Sequence, residues 1–339
     1  MKKISVIVAA YNIEQYIERC LKSIINQTLN YIEIIVVNDG STDNTLSKIK
    51  KIATYDNRIK VIDKINQGLI EARKSGLKQA TGKYILFIDG DDWLEKEALN
   101  ILYKKAEDDL ADIVIYNAFD AYDNGKKDKK IYKEFVNSHS DYLKELFLSN
   151  LMPAIWSKLI RLEFIKSNNI EFPQDISYAE DLATSVSLFI KKPRISFISQ
   201  SLYNYYKRHN SITNIISDKI LEINTAIEFI EKKLKQEEIY YEYQKEFERM
   251  IYEHIFETRF LVINIGESLH KKLYDQYINK KINIKNNEYI LNIIQNYPIG
   301  LKVRVYLYLK NYIIGKIYDN FRNFIKVIIN LCIIKEKNK

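Results

Sequence analysis

Residues 84–94 read YILFIDGDDWL. The first five, Tyr84 to Ile88, form a short apolar run with the length of a buried strand. Three carboxylates follow within four positions, Asp89, Asp91 and Asp92, just ahead of Trp93. Like charges this close repel, and burying them is costly. Asp92 precedes Trp93-Leu94-Glu95-Lys96, so the spacing predicts that it caps a following helix, with Glu95 completing a capping box. That accounts for one acid and leaves Asp89 and Asp91. Gly90 between them permits a tight turn that aims both outward. Two hard oxygen donors on a rigid strand end suit Mg2+ or Mn2+, which complete their shells with water and phosphate oxygens. A cation there would offset the repulsion.

Outward from this stretch, the first third alternates strand and helix patterns. Short apolar runs at 3–11, 32–39, 59–63 and 111–119 read as strands, like 84–89 itself. Segments 13–28, 41–55, 68–80 and 93–109 carry apolar residues at helical spacing. Such alternation predicts an α/β fold with a Rossmann-like, mostly parallel sheet covered by helices. Ligands then bind at the carboxyl ends of the strands. Acidic or polar groups stand at three of those ends: Asp39, then Asp63 with Lys64, then the Asp89 cluster. Asn124-Gly125 signals a hairpin. Segment 154–169 reads as a helix, 172–192 as a loop followed by a helix, and 194–208 as a strand. From Ser217 onward the pattern is helical, with breaks near Asn286 and Pro298.

Bulk properties narrow the class. The chain has 339 residues, 47% hydrophobic and 28% charged, as in a globular protein. Cys20 and Cys332 cannot build a disulfide framework, so a reducing compartment is expected. The N-terminal apolar run is too short for a signal peptide, and no run reaches the length of a bilayer span. Residues 301–339 hold nine Lys or Arg against Asp319 and Glu336, so seven of the eight net positive charges lie there. Ile313, Ile317, Phe321, Phe324, Ile325 and Ile328 recur at helical spacing among those cations. The combination reads as an interfacial helix on an anionic membrane surface. A helix packed on the body or on a partner is the other reading. The neutral body and the lack of a recognised motif speak against nucleic acid.

The motifs SVIVAAYN, IEIIVVNDGSTDNT, NQGLIEARKSGLKQATGKYILFIDGDDWL, YAEDLATSVSLF and LYNYYKRHNSIT occur in that order between residues 3 and 214. Together they resemble a family-2 glycosyltransferase of the GT-A nucleotide-diphospho-sugar transferase fold. Two departures are Ala9 where the family usually has Pro, and Ile70-Glu71 in the Gly68–Lys74 motif. The resemblance implies a catalytic domain over 1–214, with a nucleotide-binding half (1–115) and an acceptor-binding half (116–214). A helical region over 215–339 would follow.

The resemblance also implies roles. Ala9 and Tyr11 would frame the nucleoside base, with Asp39 hydrogen-bonding its edge. Lys64, Gly68, Arg73 and Gly90 would serve the donor nucleotide. Asp89 would bind ribose and metal, Asp91 would ligate Mn2+ or Mg2+ directly, and Arg208 or His209 would reach the diphosphate or the metal. Asp181, paired with Glu180, would be the base of an inverting transfer. Trp156 would stack on an acceptor sugar or sit in the core. The expected donor is a nucleotide-diphosphate sugar, UDP-linked. The acceptor would be a saccharide or lipid-linked saccharide of a surface glycan, and the location cytoplasmic, at the inner face of the plasma membrane. A nucleotidyltransferase on a related sheet and a non-catalytic nucleotide-sugar-binding scaffold are the alternatives.

Overall fold

A computed structural model describes residues 2–130, 141–174, 176–208, 218–261 and 266–337, without side chains for 130 and 326–337. The chain divides into two compact units, Met1–Glu242 and Tyr243–Lys339.

In the first unit the apolar runs become strands: β1 (Ile4–Ala10), β2 (Ile32–Asp39), β3 (Ile59–Lys64) and β4 (Tyr84–Asp89). Helices α1 (Ile17–Ile25), α2 (Thr45–Ala53) and α3 (Leu69–Gln79) connect them. Every residue of β1 and β2 is buried, as expected of parallel strands covered on both faces. Then follow β5 (Trp93–Leu94), α4 (Ala98–Asp108), β6 (Ile113–Ala121), β7 (Lys127–Lys130), α5 (Tyr142–Phe147), β8 (Lys158–Arg161), α6 (Leu162–Ser167), α7 (Glu180–Phe189), β9 (Ile195–Tyr206) and α8 (Ile223–Gln236).

The sheet runs β3-β2-β1-β4-β8-β6-β9-β5, with β7 paired to β6. The long pairings β1–β2, β1–β4, β2–β3 and β6–β9 are parallel, and short antiparallel pairings attach β5, β7 and β8. The predicted mostly parallel sheet is therefore present. Register brings the strand ends together: Ala9 lies opposite Asp89, and Asp39 opposite Lys64. Gly76 lets α3 approach this sheet, because a Cβ there would meet Ile7 Cγ2 at 2.4 Å.

Two sequence expectations are corrected, and one left open between two readings is decided. Segment 154–169 is not one helix: Ile155–Ser157 is a 3-10 turn, Lys158–Arg161 is strand β8, buried between β4 and β6, and only Leu162–Ser167 is α-helical. Within so short a stretch, mixed apolar and charged residues do not by their period separate a strand from a helix. Asp92 does not cap a helix. Trp93–Leu94 instead pairs with β9, and α4 starts only at Ala98. Gln27 Oε1 accepts the Leu99 N–H at the start of α4, and Glu95 turns to Lys127 and Asn204. Trp156 is buried and stacked on Tyr203 at 4.5 Å and Tyr205 at 5.6 Å, so it is a core side chain and not an acceptor platform.

The second unit is helical: α9 (Gln244–Ile251), a π-helical turn (Tyr252–Phe260), α10 (Glu267–Asn279), α11 (Glu288–Gln295), α12 (Ile299–Lys310) and α13 (Tyr312–Lys337). Its core is aromatic, with Tyr252, Phe256, Phe260, Tyr277 and Tyr308 buried. Arg304 makes a bidentate pair with Asp319 at 2.7 and 2.8 Å, joining α12 to α13. Part of the tail's positive charge is therefore internally neutralised.

Candidate active site

The carboxyl ends of β1, β2 and β4 form one edge, and α7 brings a further pair of acids to it. Asp39 ends β2, buried. Its carboxylate accepts from Lys64 Nζ at 3.1 Å, from the Gln67 N–H at 3.1 Å and from the Gly68 N–H at 2.7 Å. These bonds set the loop ahead of α3. Gly68 there has φ of +89°, a conformation glycine adopts readily. Asp39 and Lys64 thus hold each other and the loop, while Tyr11 stands exposed beyond β1 and Ala9 lies buried in it.

Asp89 ends β4 with its side chain 25% exposed. Gly90 follows, and its role is space rather than an unusual φ: a Cβ there would meet Ala9 O at 2.9 Å. Arg73, on the inner face of α3, is only 2% exposed and bridges two acids. One Nη donates to Asp89 Oδ1 at 2.9 Å and the other to Asp181 Oδ1 at 2.7 Å. The sequence placed Arg73 on the donor. The folded chain gives its guanidinium to this bridge, because a buried charge must be paired.

Asp91 pairs with Arg208 at 2.7 Å, and its backbone carbonyl accepts from Arg19 at 2.9 Å. Burial raises the Asp91 carboxyl, Arg208 opposes that rise, and Asp89 adds to it. His209 lies outside the described residues. Asp92, fully buried, accepts from the Tyr203 hydroxyl at 2.6 Å and from the Tyr206 N–H at 2.8 Å. The Tyr203 oxygen also accepts the Asp89 N–H at 3.2 Å, so it links the two acids. Arg19 lies outside every motif, and Tyr203, although inside LYNYYKRHNSIT, has no role assigned from sequence. Arg19 sits on a helix face and Tyr203 on a strand, and only tertiary folding shows their task.

Glu180 and Asp181 open α7. Ala179 just before them is left-handed at φ +65°, a conformation costing an alanine about 1 kcal/mol. Burial raises the Glu180 carboxyl well above the usual carboxylate range, and the neighbouring Asp181 charge adds to the rise. Asp181 is 21% exposed, and its carboxylate accepts from Arg73. Among the described residues no three or more His, Cys, Asp or Glu gather in a metal-holding group. Two carboxylates, Asp89 and Asp91, are what the strand end offers. Hard oxygens, few in number, match an ion that takes its other ligands from water and phosphate.

Comparison with known proteins fits this geometry. The profile of glycosyl transferase family 2 matches residues 5–166. The putative glycosyltransferase EpsH of Bacillus subtilis is 35% identical over 261 residues, which is 74% of each chain. The cholesterol galactosyltransferase of Borreliella burgdorferi is 31% identical over 294 residues, covering 81% of this chain and 80% of that one. Among solved structures, residues 1–349 of S. aureus TarS in complex with UDP-GlcNAc superpose with a TM-score of 0.58 at 24% identity. That alignment spans 81% of this chain and 89% of the other. A nucleotide-type α/β sheet with two acid sets bridged by one buried arginine, and relatives aligned over three quarters of the chain, lead to one assignment: the protein belongs to glycosyltransferase family 2.

Proposed function

We propose that this enzyme transfers a hexosyl or N-acetylhexosaminyl group from a UDP-sugar to a saccharide hydroxyl, with inversion, in the synthesis of a surface or lipid-linked glycan. The observation that carries this is the Arg73 bridge, which ties the donor-side Asp89 to Asp181 through one guanidinium. Asp181 takes the proton of the acceptor hydroxyl as that oxygen bonds to the anomeric carbon. The bond from that carbon to the diphosphate breaks, and UDP leaves with the electron pair. Glu180, held protonated by burial, can bind the acceptor as a donor without competing for the proton. Asp89 and Asp91 would hold Mn2+ or Mg2+, which when bound supplies Lewis-acid neutralisation of the leaving diphosphate. Arg208, now on Asp91, is placed to contribute positive charge on the same side. A UDP-GlcNAc complex of TarS supports UDP as the nucleotide.

Asp181→Asn should keep UDP binding and lose at least ~100-fold in transfer, as a missing general base does. Transfer within threefold of the unaltered enzyme would place the base elsewhere. A screen of nucleotide sugars for Mn2+-dependent hydrolysis would name the donor, and a preference for GDP- over UDP-sugars would overturn the nucleotide.

The tail supports a membrane surface as a partner. Ile313, Ile317, Phe321 and Phe324 are 66, 63, 60 and 64% exposed on α13. Their spacing places them on one helix face, with Lys316 and Arg322 nearby. No described helix is long and apolar enough to cross a membrane. An amphipathic basic helix lying in the interface suits a lipid-linked acceptor, and the relative named for cholesterol acts on a lipid.

A further inference from the structure

Lys158 on β8 is a buried cation that the reaction above does not use. Its ammonium donates to the Met152 carbonyl at 2.9 Å and to the Ala154 carbonyl at 2.7 Å. The carbonyl between them, that of Pro153, accepts from the Ser185 hydroxyl at 2.6 Å. Three successive carbonyls of one strap, 152–154, are thus each captured by a side chain. Ser185 lies four residues after Asp181 on α7, so the two share a helix face. The strap therefore runs beside the base. Burial pulls the Lys158 ammonium down to about 7, and the Asp181 charge opposes that fall. Met152 and Pro153 keep part of their surface open, which leaves an apolar lip. Binding sites for small molecules combine such apolar walls with a few placed polar groups. A purely apolar side chain would fill the Lys158 site without the desolvation cost of an ammonium. What an apolar chain could not do is fix two carbonyls of the strap and face Asp181.

We propose that Lys158 is a positioning residue for the acceptor: with Ser185 it holds the 152–154 strap as the wall against which the acceptor sugar is set beside Asp181. This rests on the reading of Asp181 as the base. The test uses Lys158→Met, of similar length but with no donors, in the full chain. UDP-GlcNAc with Mn2+ serves as donor, and the methyl hexoside best used by the unaltered enzyme as acceptor. The acceptor KM should rise at least ~10-fold while the donor KM stays within about twofold, a split that loss of folded enzyme alone would not give. Should that variant fail to fold, Ser185→Ala removes only the Pro153 contact. It should raise the acceptor KM about threefold, again without the donor KM. An unchanged acceptor KM in a soluble variant, or both KM values rising together, would overturn the proposal. Asp181→Asn run alongside separates the two ideas. Its retained transfer would remove the base assignment, whereas a selective acceptor effect at Lys158 would stand.

Discussion

Arg73 reaches Asp181 at 2.7 Å across 108 residues of sequence, from a helix that packs on β1 to one that follows β8. Its other Nη holds Asp89 at 2.9 Å. One buried charge thus sets the distance between the donor-side and acceptor-side acids. Arg73→Lys keeps the charge but cannot fork to two carboxylates. It should fold and lose roughly 10²-fold in kcat, the scale of a small misplacement of catalytic groups. Arg73→Met should also lose about 2–3 kcal/mol of stability. That lies at or just below the low end for breaking a buried pair, because both acids keep some contact with water. Steady-state kinetics and thermal melts separate the two effects. A lysine variant with unaltered kcat would show that the bridge does not position the acids.

At the opposite end of the sheet, Glu33 anchors the strands. Its carboxylate, with no exposed surface, accepts from Ser5 Oγ at 2.7 Å, the Thr81 N–H at 2.7 Å, Thr81 Oγ1 at 2.8 Å and Lys60 Nζ at 2.9 Å. Burial acts to raise this carboxyl, but the hydrogen bonds from Ser5, Lys60 and Thr81 outweigh it and hold it far below the usual range. A group depressed on folding adds stability that is fully present above its unfolded value, about 4.3, and is lost as pH falls toward the folded one. Urea unfolding of the wild type should therefore weaken steeply below about pH 4.5. Glu33→Gln should be weaker by about 2–3 kcal/mol at pH 7 and show a flatter acid limb, because its amide confronts donors. Parallel acid limbs in the two proteins would remove Glu33 as the cause.

Asp92 offers a sharper discrimination. As a helix cap it would contribute about 1 kcal/mol. As the buried partner of Tyr203 and the Tyr206 N–H it binds β9 to the end of β4. Asp92→Ala should then cost about 3 kcal/mol, in the range for breaking a buried hydrogen-bond network. Tyr203→Phe should lose less, about 1 kcal/mol, yet lower kcat through the freed Asp89 N–H. Melting curves with matched kinetics check both. A drop near 1 kcal/mol for Asp92→Ala would favour a cap-sized contribution.

The strand ends were legible because strand runs and their terminal acids are local. Ala9, Asp39, Lys64 and Asp89 fell on one edge once parallel register was assumed, and register delivered them there. What sequence could not show was the use of each group after pairing. Arg73 looked like a helix arginine free for a donor, yet its face of α3 is the buried one. Asp92 sat in a capping-box spacing, but a two-residue strand inserted before the helix removes the local geometry the box needs. Lys158 lay in a short mixed segment whose spacing suits either a strand or a helix, and only the pairing of β8 with β4 and β6 decides it. Pairings between side chains far apart in sequence leave no periodic trace, and these decided the site.

The tail gives the last prediction. α12 and α13 pack through Arg304–Asp319 and the close approach of Gly315 to Tyr308, so the face holding Ile317, Phe321 and Phe324 is not needed for that contact. Replacing those three by Ser should leave the melting temperature within about 2 °C, since exposed positions have small effects on stability. Partitioning onto vesicles containing phosphatidylglycerol should fall at least ~10-fold, because each large apolar side chain contributes more than 1 kcal/mol of transfer. Lys316→Glu with Arg322→Glu should reduce binding in low salt and less so in high salt, as screening of about 10 Å at 0.1 M requires. Binding unchanged by the Ser substitutions would assign the face to a protein partner or another use. Loss with both the apolar and the charge variants, with soluble-acceptor kinetics intact, would place the helix on an anionic bilayer.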